Sequence, residues 1–307
     1  MAKEYWKWPE SGFVSTETNW KETGRITAGI DIGTTSSQAV ILCDGKLFGY
    51  SSIRTGGNYQ EAADTVLKNA MGNSGMSAGD ISAIVSTGWG SRNVSYATKT
   101  MDEVHCHAKG ARFMFGPEVR TVVDLGGQTT KAILLYDWDR VRDFMMNDKC
   151  ATGMGRSLEL LCDILQVPID TIGEMSLDVI DDPEPVSTTC YAFANTETLG
   201  LFGRPEYKSA SLTENEVYAK HIFAIVWRVL GVIGKLQPLD VGDISITPAL
   251  GFTGGLAKNS GVTKRLEREL GVTALASEYD PMLAGALGAA ALAYEELTLG
   301  GAQGEQV

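Results

Sequence analysis

Two stretches of the chain share one pattern of apolar and polar positions. Residues 26–42 read ITAGIDIGTTSSQAVIL, and residues 119–135 read VRTVVDLGGQTTKAILL. In each stretch, two runs rich in β-branched residues flank a turn of the form Asp-x-Gly, which predicts a strand, a turn and a second strand. Asp31 and Asp124 occupy the same place in the two patterns. We therefore predict two similar β-hairpins, as expected of a duplicated fold with two facing lobes.

Apolar residues at helical spacing predict most of the other elements. The longest predicted helix covers residues 212–234, and Thr213 with Glu216 predicts a capping box at its start. A helix rich in Gly and Ala is predicted from Asp280 to Leu297, followed by a loose tail. The remaining predicted elements are helices at 59–71, 158–165 and 262–270, a helix start or turn at 103–111, a strand from Ile81 into a glycine turn, and a strand at 244–250.

The composition limits the class of protein. The chain has 307 residues and a net charge of -12, which argues against a nucleic-acid partner because such partners require clustered Lys and Arg. We interpret its apolar runs as too short and too rich in Ala and Gly to span a membrane, and we find no secretory signal. Five cysteines in such a chain favour reduced thiols in the cytoplasm.

The turns of the two hairpins have the composition of phosphate-binding loops. The first turn consists of Gly33, Thr34, Thr35 and Ser36. Glycine and small hydroxyl residues let backbone N–H groups and side-chain oxygens approach a phosphate, and Asp31 is placed to hold Mg²⁺ through water. A single turn of this kind is more often a plain surface hairpin, but its recurrence favours two loops that clamp a triphosphate. Neither turn leads into a helix, which excludes Rossmann and P-loop sites.

Two of the five cysteines lie in loops just before helices. Cys150 stands in the sequence MNDKCATGMGR and Cys190 in STTCYAFA. The positive N-terminal end of a helix favours a thiolate, although lone cysteines are more often buried core thiols. Cys43 and Cys162 fall inside apolar runs, and we interpret them as core residues.

Three further features give weaker signals. Cys106 lies between two histidines, but side chains two residues apart on a helix do not face the same way, so we favour a structural role over a metal site. Gly254-Gly255 precedes a predicted helix and lets backbone press against an adenine or ribose. Residues 1–24 hold three tryptophans without periodicity, which predicts a frayed tail or a strap onto a partner chain.

These motifs resemble those of a known superfamily. The two Asp-x-Gly hairpins and the late Thr-Gly-Gly resemble the nucleotide-binding superfamily of actin, Hsp70 and the sugar kinases. Five segments more narrowly resemble the ATPases that drive low-potential electron transfer, which are the activators of 2-hydroxyacyl-CoA dehydratases and the ATP-binding subunits of class I benzoyl-CoA reductase. The segments are DLGGQ at 124–128, MNDKC at 146–150, GMGR at 153–156, STTC at 187–190 and GGLAKN at 254–259.

The resemblance implies an α/β fold, namely a duplicated, actin-like (ribonuclease H-like) ATPase with the nucleotide in a cleft between its two lobes. The implied domains are an N-terminal extension at 1–24 that contacts a partner, a first ATPase lobe at 25–117, a second lobe with the cluster cysteines at 118–280, a C-terminal helix at 281–299 that packs back on the first lobe, and a tail at 300–307.

The resemblance also implies roles for single residues. Cys150 and Cys190 would be ligands of one [4Fe–4S] cluster shared with a partner ATPase subunit, since such clusters take four cysteines. Asp31 and Asp124 would handle Mg²⁺ and the attacking water, which Gln128 would orient. ATP would be held by Gly33, Thr34, Thr35, Ser36, Gly126, Gly127, Gly254, Gly255 and Lys258.

Departures from the family pattern direct the functional prediction. Activators usually carry a lysine where this chain has Gln38 and an acidic residue where it has Thr129, and Thr152 and Met154 replace the more usual Ala and Thr. With the Trp-rich extension, these departures favour a subunit of a benzoyl-CoA-type reductase of anaerobic aromatic degradation.

That subunit would pair with a homologous ATPase chain, take electrons from a reduced ferredoxin-like donor and pass them to larger subunits that bind the CoA ester. The first alternative is a homodimeric activator of a 2-hydroxyacyl-CoA dehydratase. The sequence also leaves open a small-molecule kinase and a non-catalytic ATP-binding scaffold, and the contexts of Cys150 and Cys190 argue against both.

Overall fold

The computed structural model describes residues 4–136, 140–147, 153–203, 212–234 and 249–303, except for the side chains of 300–303. The strands are β1 Ser11–Val14, β2 Ile26–Ile32, β3 Ser36–Cys43, β4 Lys46–Arg54, β5 Ala83–Thr87, β6 Lys99–Thr100, β7 Thr121–Leu125, β8 Thr130–Leu135, β9 Val141–Met146 and β10 Leu250–Thr253. The helices are α1 Tyr59–Met71, α2 Glu103–Phe115, α3 Met154–Leu165, α4 Ile172–Leu177, α5 Tyr191–Gly203, α6 Glu214–Gly234, α7 Ser260–Leu270 and α8 Ala284–Gln303.

The chain divides into two compact units, each of which contains one of the two predicted hairpins. The Asp31 unit consists of Glu10–Val119, Leu135–Val141 and Ala276–Val307. The Asp124 unit consists of Met1–Pro9, Arg120–Leu134 and Arg142–Leu275. The tryptophans of the N-terminal segment pack on the chain itself, with Trp6 and Trp8 in the Asp124 unit and Trp20 in the Asp31 unit.

The Asp31 unit is built on a sheet whose described strands follow the order β1-β4-β3-β2-β5-β6. Strand β2 runs antiparallel to β3 and parallel to β5. Helix α8 lies directly on β2, because a Cβ at Gly29 would stand only 1.9 Å from the Ala286 carbonyl oxygen. The Thr27 hydroxyl also donates to the Ala290 carbonyl at 3.0 Å. The small residues of α8 therefore permit the close packing that its composition predicts.

The Asp124 unit has a sheet with the described order β10-β7-β8-β9. Strands β7 and β8 are antiparallel, and β10 is parallel to β7. Its core combines apolar side chains of this sheet with those of α3, α6 and α7, among them Leu125, Leu158, Ile225 and Leu266. These side chains are fully buried, and their burial is the main force that holds the unit together.

The predicted repeat of the hairpins is confirmed in detail. The Gly33 amide donates to the Ser36 carbonyl at 3.1 Å, and the Gly126 amide donates to the Thr129 carbonyl at 3.0 Å. Asp31 pairs with Gln38 across the first hairpin, and Asp124 pairs with Lys131 at the equivalent place in the second. Both turns therefore have the same main-chain closure.

The predicted strand at 244–250 lies mostly outside the described residues, and β10 covers Leu250–Thr253, with Leu250 and Phe252 buried beside β7. Two other predictions need correction. Helix α8 continues to Gln303, inside the predicted tail. The prediction that every apolar run is too short for a membrane span is also wrong as far as length is concerned. Among the described helices, Glu214–Gly234 and Pro281–Leu299 are long and apolar enough for a membrane span by length and composition, although 67% and 56% of the respective windows are buried, as in core helices.

His221 on α6 gives the Asp124 unit a predictable dependence on pH. Its ring is 1% exposed, and its Nδ1 lies 2.9 Å from the Thr198 hydroxyl of α5. That hydroxyl donates to the Ala194 carbonyl, so Nδ1–H is the donor to Thr198. Burial lowers the pKa of His221 to about 3, and the charge of Arg228 adds to the effect. The His221 ring is therefore neutral in the folded protein at neutral pH.

We expect the free energy of unfolding to fall as the pH drops below the unfolded-state pKa of about 6.5, because only the unfolded chain takes up the proton easily. The loss attributable to His221 reaches about 2 kcal/mol at pH 5, since each pH unit is equivalent to about 1.4 kcal/mol. Guanidinium unfolding of the protein and of His221→Gln at pH 7.5 and pH 5 measures this difference. An equal loss in both proteins would contradict the prediction.

Candidate functional site

Asp31 lies at the carboxyl end of β2, where glycines surround its carboxylate. It is 8% exposed and stands opposite Gln38 of β3 and Thr87 of β5. A Cβ at Gly88 would lie 2.3 Å from Asp31 Oδ1, and a Cβ at Gly285 would lie 2.1 Å from Asp31 Oδ2. The backbone thus approaches both carboxylate oxygens as closely as only glycine allows.

His107 of α2 is an ionisable neighbour of this carboxylate. Its Nε2 lies 4.0 Å from Asp31 Oδ2, and its side chain is 9% exposed. In the sequence His107 stands out only as a neighbour of His105 and Cys106, and its contact with Asp31 was not predicted. The contact depends on how α2 and α8 pack against β2, and no local pattern in the sequence reports that packing.

The first phosphate-type turn is held from the side by Thr55. The Thr55 hydroxyl donates to the Gly33 carbonyl at 2.8 Å, and the Thr55 amide donates to the Thr35 carbonyl at 3.2 Å. Thr34 is exposed, while Thr35 and Ser36 are half-buried. The turn is thus fixed through its backbone and keeps its hydroxyl residues accessible to solvent, as a phosphate-binding turn requires.

Asp124 occupies the equivalent position in the second hairpin, where it forms a buried ion pair. Its Oδ2 accepts from the Lys131 ammonium at 2.9 Å, and the two side chains are 4% and 3% exposed. The same ammonium donates to the Thr129 hydroxyl at 3.0 Å. In the first hairpin the uncharged Gln38 stands at the place that Lys131 takes in the second. Lys131 was not among the predicted site residues.

The glycine pair at 254–255 lies beside this aspartate. Gly254 has a φ of +84°, and a Cβ there would lie 2.7 Å from Asp124 Oδ1. Thr253, which pairs with Asp124 across β10 and β7, donates to the same oxygen at 3.4 Å. Gly255–Lys258 then forms a 3-10 helix that ends at the N-cap of α7. The second hairpin and the predicted adenine-side turn therefore meet in one unit.

The segment that contains Cys150 begins and ends on the second hairpin. Cys150 itself lies outside the described residues, as does Thr152. Before it, Asn147 Oδ1 accepts from the Thr130 amide at 3.0 Å. After it, the Gly153 amide donates to the Gln128 carbonyl at 2.7 Å.

Two further contacts fix the end of that segment to the glycine turn. The Arg156 amide donates to the Gly127 carbonyl at 3.0 Å. A Cβ at Gly155 would lie 2.9 Å from the Gly126 carbonyl oxygen, so α3 begins in direct contact with the turn. Gln128 has an exposed side chain, and its main chain holds the Cys150 segment.

Cys190 is half-buried and immediately precedes α5. Its carbonyl accepts from the Ala194 amide at 3.0 Å, as in the first turn of a helix. The next residue, Tyr191, packs beside Gly153, because a Cβ at Gly153 would lie 3.2 Å from the tyrosine ring. The two predicted cysteine segments therefore approach each other at the starts of α3 and α5.

Arg228 of α6 holds the loop before Cys190. Its guanidinium donates to the Ser187 carbonyl at 2.7 Å and to the Thr188 carbonyl at 3.0 Å. From the other side, a carboxylate oxygen of Glu197 accepts from the Ser187 amide at 2.7 Å. The position of Cys190 thus depends on two charged side chains that sequence reasoning did not single out.

The other described cysteines are buried core residues, as predicted. Cys43, Cys106 and Cys162 are at most 2% exposed. Burial raises the pKa of the Cys106 and Cys162 thiols to about 12, so both stay protonated and apolar. Among the described residues, no three His, Cys, Asp or Glu side chains form a metal-binding group. Cys190, beside the end of the Cys150 segment, is the donor that fits a thiolate-bound cluster.

Comparison with known proteins identifies the family. Residues 28–293 match the model of the BadF/BadG/BcrA/BcrD ATPase family. The chain belongs to this family. The activator of lactoyl-CoA dehydratase from Anaerotignum propionicum is 36% identical over 88% of this chain and 97% of its own. A benzoyl-CoA reductase subunit from Thauera aromatica is 29% identical over 86% of this chain and 92% of its own.

Solved structures confirm the predicted fold class. The activator of the 2-hydroxyisocaproyl-CoA dehydratase from Clostridium difficile, solved with bound ADPNP, has a TM-score of 0.77 at 31% identity and covers 92% of this chain and 99% of its own. A ROK-family glucokinase from Streptomyces griseus has a TM-score of 0.52 at 13% identity over 88% of this chain and 99% of its own, which shows the fold alone. The chain has the actin, Hsp70 and sugar-kinase type of ATPase fold.

Proposed function

We propose that this protein is the ATP-hydrolysing activator of a 2-hydroxyacyl-CoA dehydratase. One observation carries the proposal beyond general ATP binding, namely that the glycine turn at Gly126-Gly127-Gln128 is hydrogen-bonded to the end of the Cys150 segment. The glycine turn, whose composition is typical of phosphate binding, thus accepts hydrogen bonds from the end of the segment that carries a predicted metal ligand. The similarity to activators, at 36% and 31% identity, supports the same function.

The chain's own residues would divide the work on ATP as follows. The two turns, including Thr34, Thr35 and Gly127, would bind phosphates through backbone amides and hydroxyls. Asp31 would hold Mg²⁺ through water, and Asp124 would orient the attacking water with Gln128. The Lys131 ammonium, 2.9 Å from Asp124 Oδ2, would balance the charge of that buried carboxylate.

Cys150 and Cys190 would hold one half of a [4Fe–4S] cluster, with the other two thiolates supplied by a second ATPase chain. Such a cluster supplies one-electron transfer at low potential. Arg228 and Glu197 would fix the loop before Cys190, and Asn147 and Gly153 would fix the ends of the Cys150 segment. A displacement of the glycine turn on binding or loss of the γ-phosphate would pass directly to the cysteine segment.

The partners follow from this assignment. The protein would act in the cytoplasm, without nucleic acid or membrane, with a reduced ferredoxin-like donor and a larger component that binds the acyl-CoA. The second candidate is the ATPase subunit of a benzoyl-CoA-type reductase, supported by the 29% identity to such a subunit and by Gln38 and Thr129. The dehydratase activator is preferred because the similarity to activators is higher.

Anaerobic purification of the full-length chain, produced alone, tests the proposal. We expect a brown homodimer with about two irons per chain, half of a four-iron cluster, and with ATPase activity. Native mass spectrometry and iron analysis on one sample measure both properties. A requirement for a homologous, non-identical ATPase chain to retain iron would favour the reductase subunit. An iron-free protein from anoxic work would contradict both candidates.

A further inference from the structure

The segment at residues 4–9, which lies before the part of the chain that matches the family, is fixed on the Asp124 unit. The Tyr5 carbonyl accepts from the Ile169 amide at 3.0 Å, and the Tyr5 hydroxyl donates to Gln166. Trp6 and Trp8 pack against the apolar core of the unit. This short segment therefore has a defined course, although it forms neither a helix nor a strand.

Its course brings Trp8 to the glycine pair. A Cβ at Gly255 would lie 3.6 Å from Trp8 Cδ1 and 3.7 Å from Nε1, so the edge of the indole stands beside the open backbone of Gly255. The Lys258 ammonium lies over the same ring, 5.4 Å from its centroid. Trp8 is only half-buried, so part of its surface is accessible.

The Trp8 ring thus lies beside Gly255, which has no side chain, and the Lys258 ammonium lies over that ring. A flat aromatic surface stacks on any nucleobase, and a cation over an indole is held there by the ring's quadrupole. The neighbouring Gly254 lies so close to Asp124 that a Cβ on Gly254 would contact the Asp124 carboxylate. The Gly254-Gly255 pair therefore lies between the Trp8 ring and Asp124.

We propose that Trp8 forms one wall of the surface that binds the base and ribose of ATP, and that it positions Lys258 there. The proposal rests on the proposed function, because it requires ATP to bind at Gly254-Gly255. It adds a nucleotide-contacting residue from outside the family-matched region. The N-terminal segment then contributes to nucleotide affinity in addition to covering the core.

Calorimetric titration of the anaerobically purified full-length protein tests the proposal with two ligands in the presence of Mg²⁺. ATP carries a base, whereas inorganic tripolyphosphate carries phosphates alone. We expect Trp8→Ala to weaken ATP binding about tenfold, a typical loss for one aromatic contact to a base, and to leave tripolyphosphate binding unchanged. Trp8→Phe should restore most of the affinity for ATP.

The matched control is Trp20→Ala, which removes a tryptophan of the same N-terminal region that packs in the Asp31 unit and donates to the Ser74 carbonyl at 3.0 Å. It should leave both affinities unchanged. Unchanged or tighter ATP binding by Trp8→Ala, or an equal loss for both ligands, would overturn the inference while the ATPase assignment stands. A wild-type protein that binds no ATP would overturn the proposed function and the inference together.

Discussion

Replacement of Cys190 by serine is expected to give a protein that binds ATP but loses its iron. Cys190 precedes α5, and its neighbour Tyr191 packs beside Gly153, at the end of the Cys150 segment. A serine hydroxyl is not ionised at neutral pH and is a poor ligand for iron, so one missing thiolate in each chain removes two of four ligands from a shared cluster. Iron should fall from about two per chain to near zero.

The nucleotide should still bind, because the glycine turns and Gly254 are built without any contribution from the Cys190 side chain. Iron analysis and ATP titration on the same anaerobic sample therefore separate the two functions. Because the proposed cluster joins two chains, its loss should also convert the dimer to a monomer.

The control for this experiment is Cys162→Ala, which removes a cysteine of the same unit. Cys162 is fully buried in the core, and burial raises the pKa of its thiol to about 12. A protonated core thiol is not a ligand, so this variant should keep its iron and lose only some stability. A Cys190→Ser protein with a full complement of iron would show that Cys190 is not a ligand.

The fold was predictable from local patterns, because the two hairpins carry nearly the same order of strand, turn and strand residues. The structure confirms this order down to the Gly33–Ser36 and Gly126–Thr129 hydrogen bonds. The strand predicted at 244–250 gave no indication of its neighbour in the sheet, and the described strand covers Leu250–Thr253. In the structure this strand lies beside β7, and the pairing joins segments that are far apart in the sequence.

The candidate site was less predictable, because most of its residues that were not predicted are brought there by contacts between segments far apart in the sequence. Lys131 was the exception that the sequence could have provided, because the register of a short hairpin brings position 131 opposite Asp124. His107 reaches Asp31 only through the packing of α2, and Arg228 reaches the Cys190 loop from α6. No periodicity within those helices reports which residues their buried polar side chains contact.

Replacement of Asp124 by asparagine is expected to reduce the rate of ATP hydrolysis at least about a hundredfold, the usual contribution of a positioned acid–base group. Asparagine has the same shape but carries no charge and is not a base for the attacking water. ATP binding should persist, because the backbone of the turn closes through Gly126 and Thr129 and not through the carboxylate. Steady-state phosphate release together with ATP titration measures both quantities.

The same change also breaks a buried ion pair, and this second effect must be separated from catalysis. Asp124 and Lys131 are 4% and 3% exposed, so removal of one charge leaves the other in a poorly solvated place at a cost of about 3 kcal/mol in the free energy of unfolding. Asp182→Asn is the matched control. Asp182 pairs with the buried Arg265 at 2.9 Å, with exposures of 12% and 1%, and also with the exposed Arg268, in the same unit.

Both variants exchange a carboxylate for an amide in a buried ion pair, so both should lose stability. Only Asp124→Asn should lose ATPase activity when the two are assayed at a temperature where each is folded. If Asp182→Asn lost activity to the same extent, the effect at Asp124 would be one of stability. If Asp124→Asn hydrolysed ATP at the wild-type rate, the attacking water would be oriented by another group, and Asp31 with His107 at 4.0 Å would be the next site to test.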